Sequence, residues 1–566
     1  ALDNDMLCPF IYFGVKDIEV EGQLINEKTT IANLTSEERV KHIIKKIDFY
    51  GVSGEKVKGL IFCSSKQEAY ELASKLRQNG KACRALTGDD NIEIRNEVVT
   101  QLEKGELDYI LTVDIFNEGI DIPSVNQVVM LRNTQSSIVF VQQLGRGLRK
   151  HESKEYVTII DFIGNYKNNY LIPIALFGDK SMNKDNYRRE LREPNILNGL
   201  TTINFEEVAK EQIFKSITNT SLSNMKLLQE AFTDLENKLG RSPLLVDYLN
   251  YNSIDPLVFF ENNQFKNYID VLNKFSKNNI VLSKNEIMWL NFLTFELLNG
   301  KRKHELILLS HLLRDGSISK EYFDSLLRDE NLPNDVDTIS SVESVLKLTF
   351  LKAQEIKKFG TDPLLICTDS MYILQEEFAQ LIKRGEFRNA VEDIIQAGLL
   401  KSLEYPDIFT IGQKYSRRDV AKLLNWAKDE PPLNIGGYKI DKVTNTCPIF
   451  ITYHKNDEIN DTIKYEDELL NETTLKWFSK NKRTLESPDV QTILNSPTNG
   501  LDLKLFIIKD DAEGGDFYYL GNLNLIPSSV EEMIRPLEKG DESIVSMQFK
   551  LDTPVSNTLY RYITNK

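Results

Sequence analysis

Two arginines three residues apart are the residues in this sequence best suited to chemistry on phosphate groups. They lie in QQLGRGLR, with the spacing Gln142-x-x-Gly145-Arg146-x-x-Arg149. A guanidinium stays charged and forks onto phosphate oxygens, so it can stabilise the charge that develops during phosphoryl transfer. On one helical turn, Arg146 and Arg149 would share a face. Because two arginines on a helix are usually a solvated surface, the surrounding pattern must decide between these interpretations.

A second set of residues follows the ends of short apolar runs. Parallel sheets place their ligand sites at these strand ends. A serine in this position can equally be an ordinary strand-to-helix cap. The candidates are Ser64, Thr87, Thr112, Gly119 and Asp121.

Alternating strands and helices would position these residues. Apolar runs at 59–65, 109–116, 127–132 and 156–164 are predicted strands, and the amphipathic stretches 66–80 and 94–106 are predicted helices. This rhythm is typical of a parallel sheet covered on both faces. Residues 1–180 are therefore predicted to form an α/β domain.

In order and placement, the three segments resemble motifs IV, V and VI of superfamily 2 (DEAD/DEAH-type) helicases. The resemblance implies that residues 1–180 are the second, RecA-like lobe of a nucleic-acid motor. In that family the motif VI arginines reach an ATP held by the other lobe. Arg149 would then be the finger on the γ-phosphate, with Arg146 beside it and Gln142 orienting both.

The resemblance also gives roles to the other candidates. Gly119, Asp121 and Gly145 would lie at the nucleotide, where the aspartate contacts the ribose or the linkage to the other lobe. Ser64, Thr87 and Thr112 would touch the nucleic-acid backbone.

The parts that hold triphosphate are missing from the sequence. It contains no G-x-x-x-x-G-K-[ST] loop and no D-E-x-H or D-E-A-D strand end after one. Such a loop and its Mg²⁺-holding carboxylate cradle the β- and γ-phosphates. We therefore expect ATP and Mg²⁺ to be held mainly by a first lobe that would precede Ala1. The chain alone is predicted to be inactive as an ATPase.

Bulk composition narrows the class of protein. The 566 residues are 41% hydrophobic and 27% charged, with a formal net charge of −15, which suits several folded domains. Any nucleic-acid contact must use local basic groups, because the chain as a whole is acidic. Five cysteines without C-x-x-C spacing argue for a cytoplasmic location and against a structural zinc site, and no metal site is predicted. No apolar run is long enough for a membrane span.

Two further domains are predicted beyond the α/β lobe. Residues 190–400 lose the strand pattern and are predicted to be all-α. Residues 401–566 are predicted to be an α+β domain with a helix-turn-helix-like start and a β-rich end. The expected helices are 222–240, 283–300 and 370–385, with another beginning at the N-cap Ser242, and the expected strands are 447–455, 503–511 and 517–523.

From residue 190 onward the chain resembles a C-terminal domain of unknown function that follows helicase cores in large bacterial proteins. Some of those proteins also carry a phospholipase-D-type nuclease. The resemblance rests on LGRSPLLVDYLNYNSIDP, YSRRDVAKLLNW, TNTCPIFITYHK and DDAEGGDFYYLG. It implies a bacterial protein with a linked nuclease as an expected partner, and defence against foreign DNA as an expected role.

Two places in these domains could contact nucleic acid. Arg417 and Arg418 fall in the first turn of a helix capped by Ser416, where a helix-turn-helix module would set them on phosphates. The alternative is a packing helix with solvated arginines.

The second place combines aromatic and basic residues, as in a pocket that stacks a base and neutralises its phosphate. The alternative is a core of aromatics with a solvated basic run. The residues are Tyr453, Trp477, Lys480 and Arg483.

Together these predictions describe the C-terminal part of an ATP-dependent DNA helicase or translocase, with a DNA-recognition or docking appendage. Two alternatives stay open. The motor could work on RNA, because motifs that grip the backbone do not read the sugar. The C-terminal half could instead be a protein-interaction scaffold attached to a helicase lobe. A nuclease at Asp502-Leu503-Lys504 is disfavoured, since no acidic partner has convincing spacing.

Overall fold

The computed structural model describes residues 8–20, 22–113, 122–132, 150–192, 196–197, 201–261, 264–276, 278–454, 467–535 and 542–565. The chain divides into two compact units, Ala1–Leu222 and Ser223–Lys566. Within the described ranges, no helix combines the length and apolar character that crossing a bilayer requires.

The first unit is built on one mainly parallel sheet. Its strands have the order β5-β6-β4-β7-β8-β1-β10-β9, and only the β10–β9 pair is antiparallel. Two short strands, β2 and β3, pair separately. In chain order the strands are β1 (Phe10–Lys16), β2 (Glu19–Val20), β3 (Gln23–Leu24), β4 (Gly59–Phe62), β5 (Cys83–Leu86), β6 (Tyr109–Thr112), β7 (Gln127–Met130), β8 (Val157–Ile163), β9 (Ile196–Leu197) and β10 (Thr201–Phe205).

Helices cover both faces of this sheet, as predicted. Alternate residues of β4 enter different cores: Leu60 and Phe62 join one cluster of buried side chains, and Ile61 joins the other. The α/β fold class of the lobe is confirmed. The helices are Ile31–Leu34, Glu37–Tyr50, Lys66–Gln78, Ile92–Glu103, Lys167–Tyr170 (3₁₀), Leu171–Phe177, Lys184–Arg192 and Glu207–Asn219.

The first unit extends beyond residue 180, where the sequence predicted its end. Strand β10 adds to the sheet in parallel with β1, placing Thr202 beside Ile11. The following helix then buries Ile213 and Ile217 in the same core. The five-residue run TTINF is too short and polar for its periodicity to show this pairing from sequence.

The second unit begins with helices, as predicted, and its capping box at Ser283 and Glu286 is formed. Among its described residues the helices that precede the β-rich part are Met225–Leu239, Leu245–Asn250, Pro256–Phe260 (3₁₀), Tyr268–Phe275, Lys284–Glu296, Lys303–Asp315, Lys320–Asp329, Val336–Leu346, Ala353–Phe359, Glu376–Leu381, Gly385–Lys401 and Ser402–Glu404 (3₁₀).

Two local predictions in this helical part were wrong. The helix expected over 370–385 begins as a strand, because Met371–Leu374 (β13) pairs on both sides with Ser317–Ser319 (β11) and Leu365–Cys367 (β12). The helix expected to start at Ser242 begins at Leu245 instead. The Ser242 hydroxyl is bonded to other side chains and caps nothing.

The β-rich end forms a seven-stranded sheet with the order β15-β18-β19-β20-β17-β16, and β14 pairs with β19. The segment that contains Gly514 and Gly515 joins the antiparallel strands β18 and β19. The strands are β14 (Lys414–Tyr415), β15 (Thr446–His454), β16 (Glu468–Asn471), β17 (Thr474–Phe478), β18 (Asp502–Asp510), β19 (Phe517–Arg535) and β20 (Glu542–Leu551). Its helices are Arg417–Leu423, Pro432–Ile435, Pro488–Leu494, Ser496–Asn499, Asp511–Glu513 (3₁₀) and Asn557–Thr564.

Candidate nucleic-acid interface

The carboxyl ends of four neighbouring parallel strands form one edge of the first unit's sheet. In register, Thr112 at the end of β6 lies between Leu86 of β5 and Phe62 of β4, and Phe62 also pairs with Met130 of β7. The carboxyl ends of these strands therefore lie side by side. This is the edge at which ligands of parallel sheets bind.

Ser64 lies exposed at this edge and is held by a buried acid. Its amide and its Oγ donate hydrogen bonds of 2.7 and 2.6 Å to the same Oε2 atom of Glu68. The next residue, Ser65, is the N-cap of the helix Lys66–Gln78 and accepts from the Glu68 amide. The loop after β4 is thus fixed, with Ser64 facing outward.

Glu68 is itself anchored by a buried cation. Arg39, which has no exposed surface, donates to Glu68 Oε1 at 2.8 Å and to Asp17 at 2.8 Å. It also donates to the carbonyl oxygen of Leu131, the residue that follows β7. Burial alone would lower the pKa of Arg39, but Asp17 and Glu68 raise it, so the guanidinium stays charged.

This Asp17–Arg39–Glu68 triad was not predicted from the sequence. The S-K-Q-E spacing of Ser65 and Glu68 was a usable signal, because it matches a capping box. Arg39 and Asp17 are far apart in the chain and carry no comparable mark.

Thr87 and Thr112 are also at this edge, but both side chains are fully buried. The hydroxyl of Thr87 is 2.8 Å from that of Tyr70, and its amide donates to Asp90. The backbone contacts predicted for these two hydroxyls are therefore corrected, since a buried hydroxyl does not reach a phosphate. The exposed Gly88 leaves the main chain after Thr87 accessible, so a contact through amides remains a prediction.

The predicted nucleotide-binding residues lie outside the described residues. They fall in 114–121, which follows β6 in the sequence, and in 133–149, which follows β7. Their roles stay predictions. The residues are Gly119, Asp121, Gln142, Gly145, Arg146 and Arg149.

In the second unit, Arg418 is neutralised by carboxylates. Its guanidinium is 2.7 Å from Glu296, 3.3 Å from Asp429 and 3.6 Å from Glu355. Glu296 and Asp429 are buried, so this cluster belongs to the interior of the unit. The phosphate contact predicted for Arg418 is corrected to an internal ion-pair role.

Arg417 has different surroundings. Its guanidinium carbon lies 4.6 Å from the ring centre of Phe517 and 5.0 Å from that of Phe450. Both distances are those of a cation–π contact.

The four aromatic and basic residues of the β-rich end do not form an open stacking pocket. Trp477 is 2% exposed and packs edge-on against Tyr438, at 4.9 Å between ring centres. No face of the indole is open to a base, so the stacking role predicted for Trp477 is corrected to core packing.

The two basic residues converge on the same tyrosine. The ammonium of Lys480 lies 4.6 Å from the ring centre of Tyr438, and Arg483 donates to Asp489 at 2.8 Å. The Tyr438 hydroxyl donates to that same carboxylate. Tyr453 lies on β15, half-buried, beside the ring of His454. Contacts from Lys480, Arg483 and Tyr453 to nucleic acid remain predictions.

Comparison with known families agrees with this division of the chain. Residues 38–151 match the helicase conserved C-terminal domain. That stretch contains Arg39, Glu68, the sheet edge and the two segments that carry the predicted nucleotide-binding residues. Residues 228–407 match a domain of unknown function, DUF8090, and residues 409–563 match another, DUF3427. The first unit thus carries a helicase C-terminal lobe.

Curated relatives are similar to part of this chain. IRC3 of Saccharomyces cerevisiae, whose name proposes an ATP-dependent helicase, is 28% identical over 172 residues, which are 29% of this chain and 24% of that protein. The ATP-dependent RNA helicase DeaD of Escherichia coli is 31% identical over 87 residues, 15% of this chain and 14% of that protein. The chain therefore spans about a quarter or less of these relatives. The solved structure of the E. coli DEAD-box protein SrmB bound to RraA is 19% identical, with a TM-score of 0.23, over 35% of this chain and 90% of that one.

Proposed function

We propose that this chain is the C-terminal part of an ATP-dependent DNA helicase or translocase. The observation that carries the proposal is the match of residues 38–151, which include the segments 114–121 and 133–149, to a helicase C-terminal domain. In this proposal ATP and Mg²⁺ are held mainly by a first lobe. Arg146 and Arg149 reach the nucleotide from this lobe, with Gln142 orienting them and Gly119, Asp121 and Gly145 beside it.

The buried triad gives the sheet edge a defined part in the motor. Because Arg39 ties Glu68 to the end of β7, it joins the loop after β4 to the strand that leads into residues 133–149. A contact of Ser64 with the nucleic-acid backbone would therefore act on the strand that precedes these arginines in the sequence. Closing and opening of two lobes around ATP would move this edge along the strand.

The appendage is proposed to recognise or dock DNA, with a linked nuclease and a role in defence against foreign DNA. A cytoplasmic location fits the five cysteines, none of which is in a disulfide. RNA is the second candidate substrate, since DeaD is named an RNA helicase. A competition assay with DNA and RNA of the same base sequence separates the two: preferential displacement by RNA would overturn the DNA assignment.

Arginine fingers contribute about 10³–10⁵ in rate in phosphoryl-transfer enzymes. In the full-length protein, Arg149→Ala should therefore abolish most of the nucleic-acid-stimulated ATPase and change ATP affinity little. The measurement is steady-state ATPase with and without DNA, together with nucleotide binding.

The matched control is Lys45→Ala, which removes one positive charge from an exposed helix position of the same lobe and should leave turnover unchanged. Near-normal turnover in Arg149→Ala would show that Arg149 does not reach the nucleotide. Residues 1–566 alone should show no ATPase, and turnover at a rate typical of motors would contradict a lone second lobe.

A further inference from the structure

Two adjacent arginines of the second unit differ in whether their charge is already satisfied. Arg418 faces three carboxylates within 3.6 Å, as described above. For Arg417, the described part of the chain contains no hydrogen bond and no ion pair, and its Nε is buried without a partner. The pKa of Arg417 is lowered, with burial as the only cause, so no acid compensates its charge. Arg417 is therefore a charged group that still lacks an anion.

The contacts that Arg417 does make hold its guanidinium in place. Phe450 of β15 and Phe517 of β19 lie 5.0 and 4.6 Å from the guanidinium carbon. Aromatic rings interact with the face of a guanidinium, but its N–H donors point outward in the guanidinium plane and still need acceptors. Because the side chain is already held by two rings, less rotamer entropy is lost when an anion binds.

The helix around Arg417 is equally fixed. Ser416 is the N-cap, and Asp419 accepts from the Ser416 hydroxyl at 2.8 Å and from Lys301 at 2.7 Å. The one acid of this turn is therefore occupied by Lys301 and the serine, and does not compete for Arg417.

We propose that Arg417 binds a backbone phosphate of the nucleic acid, as an anchor of the second unit on the strand. This inference rests on the proposed function, which supplies the polyanion. A phosphodiester offers two non-bridging oxygens in the geometry that a guanidinium fork matches. The chain carries a net charge of −15, so contact with a polyanion must use local cations that have no acid beside them. Arg417 meets that condition and Arg418 does not.

A rival explanation is that Arg417 only covers the aromatic rings. Phe450 and Phe517 are 4% and 3% exposed, and an arginine stem can shield such rings without binding anything. The two explanations differ in what the charge does. Arg417→Met still covers the two rings with an apolar side chain but removes the charge. Arg417→Lys keeps the charge but cannot donate two parallel hydrogen bonds to one phosphate.

The test is binding of labelled single-stranded and duplex DNA to residues 1–566 over a series of NaCl concentrations, with melting temperature measured on each variant. Arg417→Met should raise Kd about tenfold at low salt and lower the slope of log K against log [NaCl] by about 0.9 on duplex and about 0.7 on single strands. Arg417→Lys should keep the slope. Lys226→Gln removes an equally positive charge from an exposed position and should change neither quantity.

A measurement on the unaltered protein guards against loss of folding in the variants. Phenylglyoxal modification followed by mass spectrometry should find Arg417 reactive in the protein alone and protected when DNA is bound. Arg418 should be unreactive in both states.

Three outcomes would overturn the proposal. The slope and affinity could stay unchanged in Arg417→Met while the melting temperature falls, which would make Arg417 a packing residue. Arg417 could stay equally reactive toward phenylglyoxal with DNA bound. Polyglutamate could displace DNA from the unaltered protein as well as phosphate-bearing competitors do, in a way that depends on Arg417, which would assign the site to an acidic peptide.

Failure of the proposed function would look different. If the unaltered chain bound neither DNA nor RNA, inorganic tripolyphosphate would serve as the probe in a melting experiment. If tripolyphosphate raised the melting temperature of the unaltered chain but not that of Arg417→Met, the anion site at Arg417 would be supported. If it affected both proteins equally, the anion site would be contradicted.

Discussion

Two helices of this protein, one in each unit, begin with the same local motif and put it to different use. Ser65 caps Lys66–Gln78 and Ser416 caps Arg417–Leu423, each with an acid at the third helical position, Glu68 or Asp419. Each acid is buried and bonded to a cation, the fully buried Arg39 at 2.8 Å or the partly buried Lys301 at 2.7 Å. The sequence S-x-x-[DE] thus recurs together with an ion pair that comes from a distant part of the chain.

The difference lies in what the acid holds besides the cation. Glu68 reaches back past the cap to Ser64, and so fixes an exposed residue at the ligand edge of a sheet. Among the described residues, the side chain of Asp419 accepts hydrogen bonds from the cap Ser416 and from Lys301. It holds no exposed residue before the cap, so the group available to a ligand here is the side chain that follows the cap, that of Arg417. A capping motif therefore does not mark a binding site by itself. Which nearby residue is available to a ligand depends on what else the acid of the motif binds.

Removing the cations should have the largest effect on this comparison. Arg39→Met leaves both Asp17 and Glu68 buried without a cation and should cost about 3–5 kcal/mol. Lys301→Met leaves one buried acid, Asp419, without its cation, because Asp516, the other acid near Lys301, is half-exposed, and it should therefore cost less than Arg39→Met. Hydrogen exchange by mass spectrometry measures both losses, on peptides of the matching unit.

Arg39→Lys and Lys301→Arg are the matched controls, because each keeps the charge. If the two methionine variants lost the same free energy of unfolding, the number of buried acids around the cation would not determine the cost. The pKa of Asp419 is lowered, in spite of burial, by Lys301. The stability from that pair is therefore present above the ordinary aspartate pKa and lost as pH falls below it, and Lys301→Met should lose that acid sensitivity.

A third buried acid, Asp161 of β8, has no ion pair within the described residues. Its contribution to stability should therefore depend on pH in the opposite way to that of Asp419. Burial raises its pKa to about 7, against a lowering by the hydrogen bond that Tyr12 donates at 2.5 Å. A raised carboxyl pKa means that the folded form holds its proton, so stability is greatest at low pH and falls as pH rises from about 4 to about 7.

Asp161→Asn keeps the acceptor for Tyr12 and removes the charge. It should stabilise the first unit at pH 8 by on the order of 2–4 kcal/mol, and the gain should vanish near pH 4. Thermal melting of both proteins between pH 4 and 8 checks this. A gain that is the same at every pH would show that ionisation of Asp161 is not its source.

The smallest effects are expected from the caps themselves. Ser65→Ala and Ser416→Ala should each cost about 1 kcal/mol, since one capping hydrogen bond is lost. Ser64→Ala should also weaken DNA binding, because Ser64, unlike the two capping serines, is exposed at the sheet edge. Equal binding by Ser64→Ala and the unaltered protein at several salt concentrations would show that Ser64 positions the loop without touching DNA.

The parts of the fold that local sequence determines were predicted well. Strands β4, β7 and β8 consist of consecutive buried residues, a pattern that indicates an interior parallel strand. The capping box at Ser416 also follows from spacing alone. The end of the lobe and the strand β13 were missed, because they depend on partners distant in sequence and not on their own periodicity.

The candidate site shows the same limit. Sequence order led to this sheet edge, but it could not show that Thr87 and Thr112 are buried, or that Arg418 meets acids from three other segments. Burial and ion pairing are properties of the assembled unit. Arg417 and Arg418 are identical residues at adjacent positions, so only the structure separates them.

The place of β1 within its sheet has a consequence for how the lobe is made. Ile11 of β1 pairs with Thr158 of β8 and with Thr202 of β10. At about 5–20 residues per second, a ribosome needs roughly 10–30 s to add the residues between β1 and β8. During that time the apolar side chains of β1 have no sheet partner, and closing so long a loop slows the last pairing step. Nascent chains arrested between β8 and β10 would present β1 as an open edge, where other unfinished copies could add by strand pairing.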